Sequence, residues 1–200
     1  MKKFTHNWNQ QFISNTRDIK NLDLCLEIGC FEGLTSNYIV DHLLSDSGKL
    51  ICVDPLKDVY IEGDLENADE ESNKKEFSFF QGQFQRFIDN TEEKITEGKI
   101  ILHRETSFSF YEKYSSKYLN KFDFIYIDGD HRPDPVYRDA VNCFSLCKEG
   151  GLILFDDYEW REQTPHKSTK IGIDKFLSEF SSKYDIIKQN YQILIQKIIQ

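Results

Sequence analysis

A chain of 200 residues fits one α/β domain, long enough to bury most of its apolar surface and with little room for a second. Its 34 acidic against 25 basic side chains, a formal net charge of −9, argue against a nucleic-acid backbone as the main partner, because neutralising phosphates needs a basic surface. The sequence shows no signal-like apolar leader and no apolar run of about 18 residues, so the expectation is a soluble cytoplasmic chain with no membrane partner.

Phe4, Trp8 and Phe12 recur every fourth residue and predict a short amphipathic helix within an N-terminal extension, residues 1–21. Leu24, Leu26 and Ile28 then predict a buried strand that runs into Gly29-Cys30-Phe31-Glu32-Gly33. The two glycines free the backbone to turn sharply and let a ligand approach closely. Leu34, Tyr38, Val40, Leu43 and Leu44 predict an amphipathic helix continuing to Ser45. Strand, glycine turn and helix make half of a nucleotide-binding βαβ unit. The turn lacks the second and third glycines of a dinucleotide fingerprint, and Glu27 and Glu32 put acids where a phosphate needs bare amides. A ligand with a positive charge and no phosphate suits it better.

After Gly48, residues 49–53 predict a second buried strand ending at Asp54-Pro55. Asp54 stands 21 positions after Gly33, where an acid at the second strand tip can accept hydrogen bonds from ribose hydroxyls. Residues 57–75 are rich in Asp, Glu and Asn and predict an acidic loop insertion on the ligand side of the sheet. Phe77, Phe80, Phe84, Phe87, Ile88 and Ile95 mark a helix closed by Gly98, and residues 99–103 a third strand. Phe110, Tyr111, Tyr114 and Tyr118 have helical spacing and read as packing residues, ahead of a fourth strand at 121–127.

That strand ends in Asp128-Gly129-Asp130-His131, and a fifth, 152–155, ends in Asp156-Asp157. The helix between them, about 134–147, is long enough for one right-handed crossover, so the two strands are expected to be parallel neighbours with adjacent tips. Carboxylates crowded there repel one another and would take up protons unless a cation intervened. A hard divalent ion with oxygen ligands, magnesium in the first instance, answers this for the four aspartates that converge there. His131 is the first candidate for a base, since histidine suits proton transfer near neutral pH, and Asp130 is the second.

Beyond Tyr158 a polar, irregular run leaves the sheet on the same side, which makes Trp160, Arg161 and His166 candidates to shape a substrate pocket. Ile171, Ile173, Phe176, Leu177 and Phe180 mark a last helix, and residues 184–188 and 191–199 a closing antiparallel hairpin around Gln189-Asn190. The five cysteines, Cys25, Cys30, Cys52, Cys143 and Cys147, are odd in number and mostly within predicted core elements. Buried free thiols are the expectation, ahead of disulfides or a metal site.

Glu27-x-Gly29-x-x-x-Gly33 resembles the first motif of class I S-adenosylmethionine-dependent methyltransferases, in the variant found in the family that includes catechol O-methyltransferase. Ile127-Asp128-Gly129-Asp130-His131 and Phe155-Asp156-Asp157-Tyr158, with Gly150-Gly151 between them, resemble the metal-dependent O-methyltransferases of the catechol and macrolide-sugar type, over roughly residues 22–160. The resemblance implies a single-domain, Rossmann-like three-layer α/β/α sandwich with a mostly parallel seven-stranded sheet and an antiparallel C-terminal hairpin. It also implies an S-adenosylmethionine-dependent methyltransferase that uses magnesium to methylate a hydroxyl oxygen of a small acceptor. Glu27, Gly29, Phe31, Gly33, Thr35, Asp54, Ser107 and Asp128 are then expected around the cofactor, Thr35 near the methionine carboxylate and Ser107 near the adenine. One acidic metal ligand after the fourth strand and an acidic pair after the fifth match Asp128, Asp156 and Asp157.

No catechol-specific or sugar-specific residue is recognisable, so the acceptor and the oligomeric state stay open. Two rival readings remain at this point. One is a nicotinamide-dependent oxidoreductase, against which the missing third glycine and the acid-rich strand ends count. The other is a non-catalytic binding protein on the same fold.

Overall fold

A computed structural model describes residues 4–5, 7, 9–57, 81–160, 164 and 166–198. A short helix α1 (Gln10–Thr16) leads to β1 (Leu22–Ile28), then to α2 (Leu34–Tyr38), which widens into a π-helical turn at Ile39–Leu43, and to β2 (Leu44–Val53). There follow α3 (Gln83–Thr96), β3 (Ile100–His103), α4 (Ser107–Tyr118), β4 (Phe122–Ile127), α5 (Pro133–Leu146) and β5 (Cys147–Phe155). The last elements are α6 (Thr169–Glu179), β6 (Tyr184–Gln189) and β7 (Ile193–Lys197). Among the described residues, seven strands form one sheet in the order β3-β2-β1-β4-β5-β7-β6. Only the pairs β5/β7 and β7/β6 are antiparallel. The Rossmann-like sandwich with its C-terminal hairpin is therefore the fold that forms.

Side-chain alternation along β1 shows how helices come to cover both faces. Leu26 and Ile28 face one layer, with Phe110 of α4, Ala140 of α5 and Phe176 of α6. Cys25 faces the other, with Phe12 of α1, Ile39 after α2 and Phe87 of α3. All six residues of β4 are buried, as in a central strand roofed on both sides. Local signals start the helices: Thr106 caps α4 by accepting the Ser109 amide at 3.2 Å, Ser168 caps α6, and Pro133 opens α5 with Asp134 in its first turn. All five cysteines are buried and free.

Several boundaries differ from the sequence expectation. The first helix begins at Gln10, so Phe4 precedes it and only Phe12 of the three aromatics is seen to pack from it; Trp8 lies outside the described residues. Residues 58–80, which hold nearly all of the expected acidic loop together with Phe77 and Phe80, and Arg161 also lie outside them. β2 starts at Leu44 rather than at 49, and β5 at Cys147 rather than at 152. In each a bulged polar segment interrupts the pairing, which shifts between Leu22/Leu24 and between Phe122/Phe124. Neither insert carries an alternating apolar pattern, so a reading of periodicity starts only after it.

Candidate active site

Strand pairing runs one residue past four of the strands. The amide of Asp54 bonds to the His103 carbonyl at 3.2 Å, that of Gly29 to Val53 at 2.9 Å, that of Asp128 to Ile28 at 2.8 Å and that of Asp156 to Ile127 at 3.0 Å. Neighbouring strands lie about 4.8 Å apart, so Asp54, Gly29, Asp128 and Asp156 stand in a row along one edge of the sheet. The turn and the carboxylates predicted to share a crevice are thus brought together.

Gly29 and Gly33 both have left-handed backbones, φ 85° and 78°, and so does Phe31 between them at φ 46°. Asp54 organises this turn: its Oδ2 accepts the amides of Cys30 at 2.8 Å and Phe31 at 3.0 Å, and its Oδ1 accepts that of Leu56 at 2.7 Å. A carboxylate has about four acceptor positions, which leaves about one for a ligand. Burial raises the Asp54 pKa, and the three amides partly offset it.

The two glutamates of the turn region are not presented to the crevice. Glu27 is 0% exposed and accepts the Ser36 hydroxyl at 2.5 Å through Oε2, while Oε1 has no hydrogen-bond partner among the described residues. Burial lifts its pKa from 4.5 to about 8. Glu32, 1% exposed, accepts the Thr5 amide at 2.7 Å and hydroxyl at 2.8 Å and is ion-paired with Arg86. The expectation that bare acids at the turn select a cationic ligand is corrected accordingly: a mostly protonated Glu27 and a compensated Glu32 support the turn from within. Cys30 and Cys52 lie beside Glu27, the Cys52 sulfur 3.6 Å from Oε2.

Thr35 sits half-buried in the first turn of α2. Ser107 opens α4, with its hydroxyl donating to Asp139 Oδ1 at 2.7 Å. Asp139, which the sequence did not single out, is 2% exposed, and burial raises its pKa to about 6.

At the other end of the row, the Tyr126 hydroxyl stands between Asp128, at 3.1 Å, and Asp156. Asp156 Oδ1 also accepts the Asp157 amide at 2.7 Å and the Gln192 side-chain amide at 2.9 Å. Asp157 Oδ1 accepts the Tyr191 hydroxyl at 2.6 Å, and its Oδ2 meets His131 Nε2 at 2.7 Å. Burial, then the charges of Asp156 and Asp157, push the Asp128 pKa well above the usual carboxylate range. Burial and Asp157 likewise raise that of Asp156. Burial opposes ionisation of Asp157 too, but the bonds from His131 and Tyr191 outweigh it and its pKa falls.

Ligating atoms of Asp128, His131 and Asp157 lie within 4.8 Å of one another. The predicted third ligand, Asp156, is outside that group but lines the same cleft, with Tyr126 and Gln192 on its oxygens and about one acceptor position left. These residues line a cleft with Gly129 and Thr169. Asp130 turns instead to Arg132, whose Nη2 donates to it at 2.6 Å. Burial works against the Asp130 charge, yet Arg132 outweighs it and the pKa is lowered. The Trp160 ring lies 5.3 Å from that of His131, with the Lys167 ammonium 5.2 Å from the Trp160 centroid, whereas His166 is simply exposed.

Tyr126, Tyr191 and Gln192 were read as strand residues and their polar ends passed unremarked. For Tyr126 a signal existed: it precedes Asp128 by two positions, so both project from the same face. Nothing local marks Tyr191 or Gln192, whose partners are more than thirty positions away.

Residues 26–158 match a family model described as a methyltransferase domain. A curated relative, uncharacterized protein R132 of Acanthamoeba polyphaga mimivirus, is 35% identical over 72 residues, which cover 34% of this chain and only 33% of that protein's length. Among solved structures, the O-methyltransferase TomG of Streptomyces achromogenes, in complex with SAM, aligns with a TM-score of 0.65 at 13% identity, over 99% of this chain and 82% of its own. The O-methyltransferase of Bacillus cereus, in complex with SAH, aligns with a TM-score of 0.64 at 15% identity, over 98% and 84%. At such identities these two structures speak for the fold alone.

Proposed function

The chain belongs to the methyltransferase-domain family, and from that premise we propose that it transfers a methyl group from S-adenosylmethionine to a hydroxyl oxygen of a small acceptor, with a divalent cation, magnesium first, at the carboxylate corner. The observation that carries this reading is the row Asp54, Gly29, Asp128, Asp156. It sets a glycine turn fit for a nucleoside beside carboxylates fit for the reacting end.

S-adenosylmethionine supplies a methyl carbon already activated by its sulfonium, so the protein's task is alignment and removal of one proton. Gly29 and Gly33 let the turn pack closely, Gly29 on the Asp128 backbone and Gly33 on Thr91 and Phe87, with Phe31 between them on the same left-handed bend. Asp54 reserves an acceptor position for the ribose, Thr35 would meet the methionine carboxylate, and Ser107 would border the adenine. Asp128 adjoins both cofactor and cation. Glu27 acts on the cofactor through the turn it supports.

The donor set fits a small divalent ion. Asp128 and Asp157 offer oxygens within 4.8 Å of each other, and burial together with the charges of Asp156 and Asp157 raises the Asp128 pKa, a cost that a cation would relieve. Asp128 and Asp157 would hold the ion, which when bound would lower the pKa of an acceptor hydroxyl. An ionised Asp157 can only accept, so His131 Nε2 carries the hydrogen of their 2.7 Å contact and Nδ1 holds the lone pair that takes the acceptor's proton. Asp130, bound to Arg132, is the weaker base. Trp160 beside His131 gives the acceptor an aromatic wall.

Calorimetric titration with S-adenosylmethionine and its demethylated product, followed by methyl transfer to a panel of small phenols and sugars with magnesium or with chelator, tests the reading. Absence of binding at millimolar concentration rejects the cofactor assignment. Undiminished transfer in chelator rejects the cation alone.

A further inference from the structure

Two consecutive residues of the β6–β7 turn meet the two consecutive carboxylates after β5: Tyr191 donates to Asp157, and Gln192 donates to Asp156. Gln192 is 2% exposed, and its amide can lie only one way round. Its Oε1 is taken at 2.8 Å by Nδ2 of Asn15, itself 3% exposed on α1 and oriented by Asn190, so Nε2 faces Asp156. Asn190 closes the network: its Nδ2 donates to Asn15 Oδ1 at 3.0 Å, and its Oδ1 accepts the Gln192 backbone amide at 3.0 Å. The Lys188 ammonium ties the same end of α1 down through the Asn15 carbonyl at 2.9 Å.

The acidic pair has need of such support. Asp157 has a left-handed backbone, φ 55°, which costs a non-glycine residue some energy, though Asp less than most. Asp156 has three of about four acceptor positions filled, so the direction of the remaining one is set by Gln192 and Tyr126.

We infer that Tyr191, Gln192 and Asn15 are positioning residues that aim the Asp156-Asp157 pair at a divalent cation, so that the packing of α1 on the β6–β7 turn sets cation affinity. This rests on the cation site proposed above. Residues that orient metal ligands typically contribute about 10–100-fold to affinity.

Mn2+, titrated into the full chain and read by the loss of its free paramagnetic signal, tests the inference without an acceptor or turnover. Asp157→Asn is the control for the site itself, and Ile193→Val, a buried apolar neighbour, the control for packing. Gln192→Met and Asn15→Leu should each weaken Mn2+ binding, the first by about 10-fold or more. Tyr191→Phe, which removes only a hydroxyl and keeps the fold, should do the same, while Ile193→Val binds as wild type. Wild-type affinity in folded Gln192→Met and Tyr191→Phe overturns the positioning role and leaves the cation site standing. Failure of the wild type to bind Mn2+ overturns the cation site, and this inference with it.

Discussion

The backbone of Gly29 lies so close to Asp128 that a β-carbon at position 29 would sit 1.9 Å from the Asp128 carbonyl oxygen. The Gly29–Gly33 turn is therefore packed directly on the end of β4, where Asp128 stands. Gly98 has a similar backbone, φ 70°, but nothing within 4 Å of its added carbon, so it isolates the conformational cost alone. Gly98→Ala should lose about 1–2 kcal/mol in urea denaturation, and Gly29→Ala about 3 kcal/mol or more, because the overlap is with backbone that must move. Equal losses would show that the turn does not rest on the strand tip.

That contact also shows what a sequence can disclose. The strands, the crossover and the carboxylate row were legible because each rests on a local pattern: apolar runs of strand length, glycines at a turn, acids directly after them. Glu27 and Glu32 misled because charge is visible in a sequence and burial is not; Ser36 and Arg86, nine and fifty-four positions on, decide what those carboxylates do. Tyr191, Gln192 and Asn15 were out of reach for the same reason, since only the closing of the sheet by the hairpin brings Tyr191 and Gln192 to the end of β5, and only the packing of α1 brings Asn15 to Gln192.

Glu27 should make stability depend on pH. Its pKa is about 8 in the folded chain against an ordinary 4.5, so between these values the unfolded chain has lost a proton that the folded one keeps. Unfolding then releases a proton, and stability falls as pH rises, at up to about 1.4 kcal/mol per unit. Glu27→Gln cannot ionise and keeps an acceptor for Ser36. Denaturation at pH 5 and pH 8 should show the variant gaining on wild type at the higher pH; a constant difference would mean that Glu27 is already ionised at pH 5.

Cation binding should appear as stabilisation before any assay of turnover. A ligand held only by the folded state adds about 2.7 kcal/mol at a hundred times its Kd, so saturating magnesium should raise the wild-type melting temperature measurably. Asp128→Asn should lose most of that rise. It should also be more stable than wild type in chelator, because burial, with the charges of Asp156 and Asp157 added, raises the Asp128 pKa and makes an ionisable group costly there. A variant that gains nothing in chelator would argue that neither burial nor the neighbouring acids raise the Asp128 pKa in the folded chain.

The choice of base comes down to what each candidate is already bonded to. Asp130 is gripped by Arg132 through both oxygens, at 2.6–3.1 Å, and by the Arg132 backbone amide at 2.8 Å, so its pKa is held down and its lone pairs are spent. His131 is fixed through Nε2 to Asp157 and flanked by Trp160, and among the described residues no hydrogen bond engages its Nδ1. His131→Ala should therefore lower kcat by about 100-fold or more, the usual worth of a positioned base, with the S-adenosylmethionine Kd little changed. Asp130→Asn keeps the shape and the backbone turn and should cost less than about 10-fold. Single-turnover rates for both variants, each at saturating cation, separate the candidates: a larger loss in Asp130→Asn than in His131→Ala would move the base to Asp130 and leave His131 as a ligand or a wall of the pocket.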